Sequence, residues 1–345
     1  MRRSIRIWLT VASLSALALI VAACGGGSGG SESGGGGTGG GSGSKDIKVE
    51  GSSTVAPVTK AVSDAFMQEN WGARISVGSG GTGDGFEAFC AGKTDISDAS
   101  RPIDQEEELP TCEENGVEFI TLPVGLDGIA VVGNPQNDWA SELTLEELKT
   151  MWAPEAEGSV STWADVNSQW PDNKLALFGP GTESGTFDFF TEAVVGEEGA
   201  SRSDYQASED DNVLVQGVAG NQNALGYFGL AFYENNQDTL KLFKVDGVEP
   251  SADTISSGEY PISRPLFIYV NKKKLEDKKI LQDFVGFYLE DGNLDKFVKD
   301  TGYVALPDST VAETRTQFEE RQTGSLYTKN GELPGGNLEE AMKKN

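Results

Sequence analysis

Residues 46–62, DIKVEGSSTVAPVTKAV, decide the fold. Asp46 to Glu50 reads as a short strand, Gly51-Ser52-Ser53-Thr54 as a turn, and Pro57 falls near the first turn of a helix. Val58, Ala61, Val62, Ala65 and Phe66 then keep the i, i+3, i+4, i+7, i+8 spacing of one buried helical face. A strand therefore passes through a hydroxyl-rich turn straight into a helix. Working outward, the same unit recurs twice. Arg74 to Val77 leads into Gly78-Ser79-Gly80-Gly81-Thr82-Gly83 and a helix bearing Phe86, Phe89 and Cys90. Leu175 to Phe178 leads into Gly179-Pro180-Gly181-Thr182-Glu183-Ser184-Gly185-Thr186, after which Phe187, Phe190 and Val194 mark a third helix. Strands alternating with helices predict an α/β fold.

Three such turns have a common physical rationale in anion capture. A helix start leaves backbone N–H groups unpaired and carries roughly half a positive charge. Glycine lets the main chain approach closely, and serine or threonine hydroxyls add donors without bulk. Each hydrogen bond to a charged acceptor contributes about 1.5–3 kcal/mol. A fourth element, a strand at Thr94 to Ser97, exits through Asp98-Ala99-Ser100-Arg101-Pro102, where an arginine fork could close on the ligand.

The ends of the chain speak for export. Arg2, Arg3 and Arg6 precede an apolar run from Ile7 to Val21, the layout of a signal peptide over residues 1–23. Val21-Ala22-Ala23-Cys24 resembles a bacterial lipobox, so Cys24 is expected to become the acylated N-terminus of the mature chain and to hold it to the cell membrane. Residues 25–44 are almost wholly glycine and serine, a flexible tether of about 25 Å root-mean-square span. With Cys24 assigned to lipid, the two remaining cysteines, Cys90 and Cys112, form an even pair that an oxidising compartment would join as a disulfide.

Composition excludes several functions. The formal charge is −27, and removal of the three signal-peptide arginines takes it to −30, which argues against nucleic acid or anionic lipid as partners. Any anion must therefore be held by local geometry. Histidine is absent, which removes the commonest general base and transition-metal ligand. Gly78, Gly80 and Gly83 spell G-x-G-x-x-G, with Asp98 twenty residues on, but the loop is hydroxyl-rich and an exported protein seldom meets a dinucleotide. Ser184 lacks a G-x-S-x-G setting and a histidine to activate it. No enzyme activity, cofactor or metal is expected.

Gly51-Ser52-Ser53-Thr54-Val55, Ser79-Gly80-Gly81-Thr82-Gly83, Asp95-Ile96-Ser97-Asp98-Ala99-Ser100-Arg101-Pro102 and Ser184-Gly185-Thr186-Phe187 together resemble the phosphate-binding component of the bacterial Pst-type ABC importer. Ala224-Leu225-Gly226-Tyr227-Phe228-Gly229 adds to the likeness, which runs from about residue 46 to at least 305. The resemblance implies a two-lobed type II periplasmic-binding-protein fold with phosphate between the lobes. Lobe I would comprise residues 46–124 and 263–345, and lobe II residues 125–262, with two crossovers as the hinge. On matching positions the ligand groups would be Ser53, Thr54, Val55, Ser79, Ser184, Gly185 and Thr186, with Gly81, Thr82 and Ser100 as neighbours.

Two departures from the family matter. Better-known members carry an aspartate in the turn where this chain has Ser100-Arg101, and an arginine shortly before the Ser-Gly-Thr loop where this chain has Pro180 or its neighbours. Arg101 is therefore expected to supply the charge-assisted bond, and Asp98, Asp84 or Glu183 to accept the ligand's proton. A proton acceptor of that kind would favour phosphate over sulfate. The chain is thus expected to be a monomeric, lipid-anchored, extracytoplasmic binding protein that hands phosphate to ABC permease subunits. Sulfate or molybdate binding, a phosphate sensor and a phosphoesterase are the alternatives.

Overall fold

The structure is a computed structural model that describes residues 45–334 and 337–344. The expected signal peptide, the lipidated Cys24 and the glycine-serine tether through residue 44 lie outside the described residues.

The described strands are β1 (Asp46–Gly51), β2 (Arg74–Val77), β3 (Ile96–Ala99), β4 (Phe119–Gly133), β5 (Glu142–Leu143), β6 (Ala176–Gly179), β7 (Gln206–Ala207), β8 (Ala224–Gly229), β9 (Lys241–Leu242), β10 (Lys244–Val245) and β11 (Ser263–Asn271). They form one sheet in the order β2-β1-β3-β11-β4-β8-β6-β7, with β9 beside β4 and a separate β10-β5 pair. β1 runs parallel to β2 and β3, and β6 parallel to β7 and β8. Between these two parallel groups lie β11 and β4, antiparallel to each other and to their neighbours β3 and β8.

β4 is the spine. Its fifteen residues are all buried, the span Phe119–Gly128 lying along β11 and its last five residues pairing with β8. A strand apolar on both faces needs cover above and below, which the helices supply. The register of β4 with β11 shifts between Leu266 and Phe267, a bulge that bends the pair at its middle.

Each parallel strand delivers the chain into a turn at its carboxyl end. After β1, Gly51 takes φ 145°, and a Cβ there would strike the carbonyl oxygen of Asp98 on β3. Glycine is what lets the two strands stay paired at that point. Helix α1 (Ala56–Glu69) follows, burying Val58, Val62 and Phe66 as its spacing predicts. Phe66 meets the edges of Phe284 and Phe287 in the helix Lys279–Tyr288. α2 (Thr82–Cys90) follows β2 and buries Phe86, Phe89 and Cys90. Further helices follow β11 at Lys279–Tyr288 and Asp308–Glu320.

Cys90 and Cys112 are joined, tying the end of α2 to α3 (Glu108–Glu114) inside a small apolar cluster with Phe86, Ile103 and Tyr269. With the cysteines 22 positions apart in the sequence, chain-entropy arguments give the bond about 3 kcal/mol of stabilisation. The double variant Cys90→Ala with Cys112→Ala should therefore unfold at a clearly lower denaturant concentration, with an unfolding free energy lower by about that amount.

Candidate functional site

The site is built where loops from both ends of the sheet meet. Ser52 is the organiser of the first loop. Its amide donates to the Asp98 carbonyl on β3, and its Oγ accepts from the amides of Thr54 at 3.2 Å and Val55 at 3.4 Å. That holds the start of α1 and fixes Thr54 in the cleft. Across from it, Ser184 Oγ accepts from the Thr186 amide at 3.2 Å. The two loops touch directly: Thr54 Oγ1 donates to the Gly185 carbonyl at 3.3 Å, and Ser53 Oγ donates to Asp188 Oδ2 at 3.0 Å. A Cβ on Gly185 would come within 2.5 Å of Thr54 Oγ1 and 2.8 Å of its nitrogen, so only glycine permits the approach.

The cation at this junction is Arg264, from β11. Its Nη2 donates to Thr54 Oγ1 at 2.9 Å, its Nη1 lies 3.3 Å from Glu192 Oε2, and its guanidinium carbon sits 4.0 Å above the ring of Phe189. Behind it, Nε stands 3.5 Å from Asp127 Oδ2. Asp127 lies opposite Arg264 in the register of β4 and β11, and neither of its carboxylate oxygens accepts a well-aligned hydrogen bond. Burial pushes the Asp127 carboxyl up to about 6, with Arg264 limiting the rise.

Two cavities flank this junction. One, of about 310 Å³, is lined by the Gly80–Asp84 turn, Ser100, Arg101, Glu192, Glu198 and Arg264. The other, of about 240 Å³, takes in Ser53, Glu183, Ser184, Gly185, Thr186 and Tyr303. In the first, Thr82 and Ser100 share a hydroxyl contact at 3.1 Å, and Thr82 Oγ1 also accepts from the Ser100 amide at 3.3 Å.

The sequence-predicted residues thus divide into groups. Ser53, Thr54, Ser184, Gly185 and Thr186 come together, as do Gly81, Thr82, Ser100 and Arg101. Val55 is fully buried at the start of α1. Ser79 is exposed and lines neither cavity. Arg101 lines the first cavity, but its fork is filled by Glu108, with Nη2 to Oε1 at 2.8 Å and Nη1 to Oε2 at 2.9 Å. That pairing holds the Arg101 guanidinium above its ordinary range.

The three carboxylates expected as proton acceptors fare differently. Asp84 lines the first cavity and Glu183 the second. Asp98 turns its carboxyl onto Thr59 of α1, 3.0 Å away, and Thr59 in turn meets the Tyr288 hydroxyl at 3.2 Å. Burial drives the Asp98 carboxyl up to about 8, and Asp98 lines neither cavity. The strand-exit position pointed to the cleft; the alternation of side chains along β3 sends Asp98 to the α1 side instead.

Sequence reasoning missed Arg264, Asp188 and Glu192. Asp188 is half-buried and raised by that burial, against the opposing pull of Ser53 and Arg264. It carries a local signal, two residues after Thr186 in the turn already singled out. Arg264 carries none, because it stands some eighty residues from that loop.

Among the described residues no helix is long and apolar enough to cross a membrane, and no cluster of three metal-ligating side chains occurs. Residues 36–291 match the family model described as a PBP superfamily domain. The chain is 46% identical over 289 residues to Protein SphX of Synechocystis sp., covering 82% of this chain and 85% of that one. It is 40% identical over 283 residues to Phosphate-binding protein PstS of Staphylococcus saprophyticus, covering 81% and 86%. Among solved structures, a possible phosphate binding protein from Planctomyces limnophilus superposes with a TM-score of 0.76 at 40% identity, covering 80% of this chain and 98% of that one.

The buried Asp98 carboxyl has a measurable signature. The folded chain keeps a proton that the unfolded chain, with a carboxyl near 4, gives up, so stability falls as pH rises from about 4 through about 8. Asp127 adds to the decline up to about pH 6. Thermal unfolding across this range should show that fall in the parent chain and a clearly shallower one in Asp98→Asn.

Proposed function

The chain belongs to the PstS-like phosphate-binding proteins of the PBP superfamily, with their type II periplasmic-binding-protein fold, and on that premise we propose that it captures inorganic phosphate at the Thr54–Gly185–Arg264 junction. It is a binding protein and not an enzyme. The single observation that carries the reading is that one hydroxyl, Thr54 Oγ1, is met both by the Gly185 carbonyl of the distant loop and by the Arg264 guanidinium. Hydroxyls, close-approaching glycine backbone and an arginine that is always charged converge there, which is the donor set a tetrahedral oxyanion requires.

The ligand would draw on Ser53, Thr54 and the Ser184–Thr186 loop on one side and on the Gly81–Thr82 turn, Ser100 and Arg101 on the other. Arg264 would be the leading cation, since its cavity-facing edge is held only by the half-exposed Glu192, whereas Arg101 is filled by Glu108. Asp84, Glu183 or Asp188 would be the carboxylate that takes the ligand's proton.

Lobes of residues 46–124 with 263–345, and of 125–262, would close about the ion, with β4 and β11 as the two crossovers. The position of Arg264 on β11, bonded to Thr54 from one side and close to Glu192 and Phe189 from the other, supports closure as the step that completes the site. The closed surface would then be read by ABC permease subunits, to which a monomer lipid-anchored at Cys24 delivers phosphate outside the cytoplasm.

Calorimetric titration with phosphate, sulfate and molybdate tests the reading. Phosphate should bind stoichiometrically without turnover and more tightly than the other two; sulfate bound as tightly would end the claim of phosphate preference. Arg264→Gln should weaken phosphate binding ten- to a hundredfold, the loss of one or two charge-assisted bonds. Arg101→Ala should weaken it by about tenfold, the smaller effect of a cation already shared with Glu108. An unaltered dissociation constant in Arg264→Gln would overturn the assignment of the cation.

A further inference from the structure

We infer that Glu192 is a built-in stand-in for the anion, a carboxylate that occupies the cavity-facing edge of Arg264 and lowers the affinity of the site by competing with the incoming oxyanion. The inference rests on the proposal that Arg264 is the ligand's cation.

The guanidinium of Arg264 has three hydrogen-bonding edges, and each faces a different partner. Nε faces Asp127, a carboxylate that is 1% exposed and fixed in β4. Nη2 donates to Thr54 Oγ1, in the loop that Ser52 holds. Only Nη1 turns to a partner that can leave. Glu192 stands in the short segment Thr191–Val195, its side chain is 45% exposed, and it lines the same cavity as Arg101 and Ser100.

A carboxylate and a phosphate present the same planar pair of oxygens to an arginine fork, so they compete for that edge. Glu192 is the half-exposed member of the pair, while the Arg264 side chain is 12% exposed, so Glu192 can swing into solvent and be hydrated there. Its displacement still has a consequence for binding. The ligand meets a competent site only in the fraction of molecules whose Nη1 edge is open, and the apparent dissociation constant rises by the inverse of that fraction. After displacement the carboxylate also remains a like charge beside the bound ion.

Glu198 provides an internal comparison. It lines the same cavity, yet among the described residues no ion pair joins it to Arg264. If Glu192 acted only through the general negative field of the cavity, the two glutamates would be interchangeable.

The test is titration of the full chain with inorganic phosphate at fixed pH and ionic strength, for the parent, Glu192→Gln, Glu198→Gln, Arg264→Gln and the double variant of Glu192→Gln with Arg264→Gln. Glu192→Gln is expected to bind phosphate three- to tenfold more tightly, Glu198→Gln to change it less than twofold, and the gain from Glu192→Gln to vanish in the Arg264→Gln background. Unchanged or weaker binding by Glu192→Gln overturns the inference, as does an equal gain from Glu198→Gln. Weakened binding by Arg264→Gln with no gain from Glu192→Gln removes this inference and leaves the site assignment standing; unchanged binding by Arg264→Gln removes both.

Discussion

The arrangement of the site depends on one buried charge pair. Antiparallel pairing of β4 with β11 puts Arg264 opposite Asp127, two residues before the bulge that begins at Leu266. An arginine there cannot shed its charge, and Asp127 is the counter-charge that makes its burial tolerable. Phe189 covers the flat face, leaving the two Nη groups to project toward the loops. Thr54 and Glu192 then take up those groups from opposite sides.

A chain with so strong a negative balance must hold an anion by local donors. At the proposed site the loops would do so with groups that are already oriented. Ser52 and Ser184 satisfy the first amides of their own turns, so the hydroxyls of Ser53 and Thr54 and the backbone near Gly185 are fixed before any ligand arrives. The disulfide and the Arg101–Glu108 pair do the same for the α2 side, where Cys112 and Glu108 both belong to α3. Rigidity of this kind lowers the ordering cost of binding.

Carboxylates crowd the same space. Asp84, Glu192 and Glu198 line the cavity that holds both arginines, and Asp188 takes the Ser53 hydroxyl. If the proposed anion site lies here, like charges on its walls would oppose binding. Asp98 stands outside that group, since β3 turns it inward, where its carboxyl accepts the Thr59 hydroxyl and burial raises its pKa.

Much of this was determined by the sequence alone, because the signals are local. Strand, hydroxyl-rich turn and helix follow one another within twenty residues, and the spacing of Val58, Val62 and Phe66 or the position of Pro57 needs no distant partner to be read. Ser53, Thr54 and the Ser184–Thr186 turn were legible for the same reason, as was the pairing of Cys90 with Cys112 once Cys24 was set aside. What only the tertiary structure decided is which charges face one another. Arg264 lies more than two hundred residues from Thr54 and 137 from Asp127, and nothing near it in the chain marks it as other than part of a buried strand. Arg101 looked free until α3 supplied Glu108, and Asp98 looked available until side-chain alternation along β3 turned it away. Electrostatic partnership falls off over a few ångströms, and only the antiparallel pairing of β4 with β11 brings Arg264 within that range of Asp127.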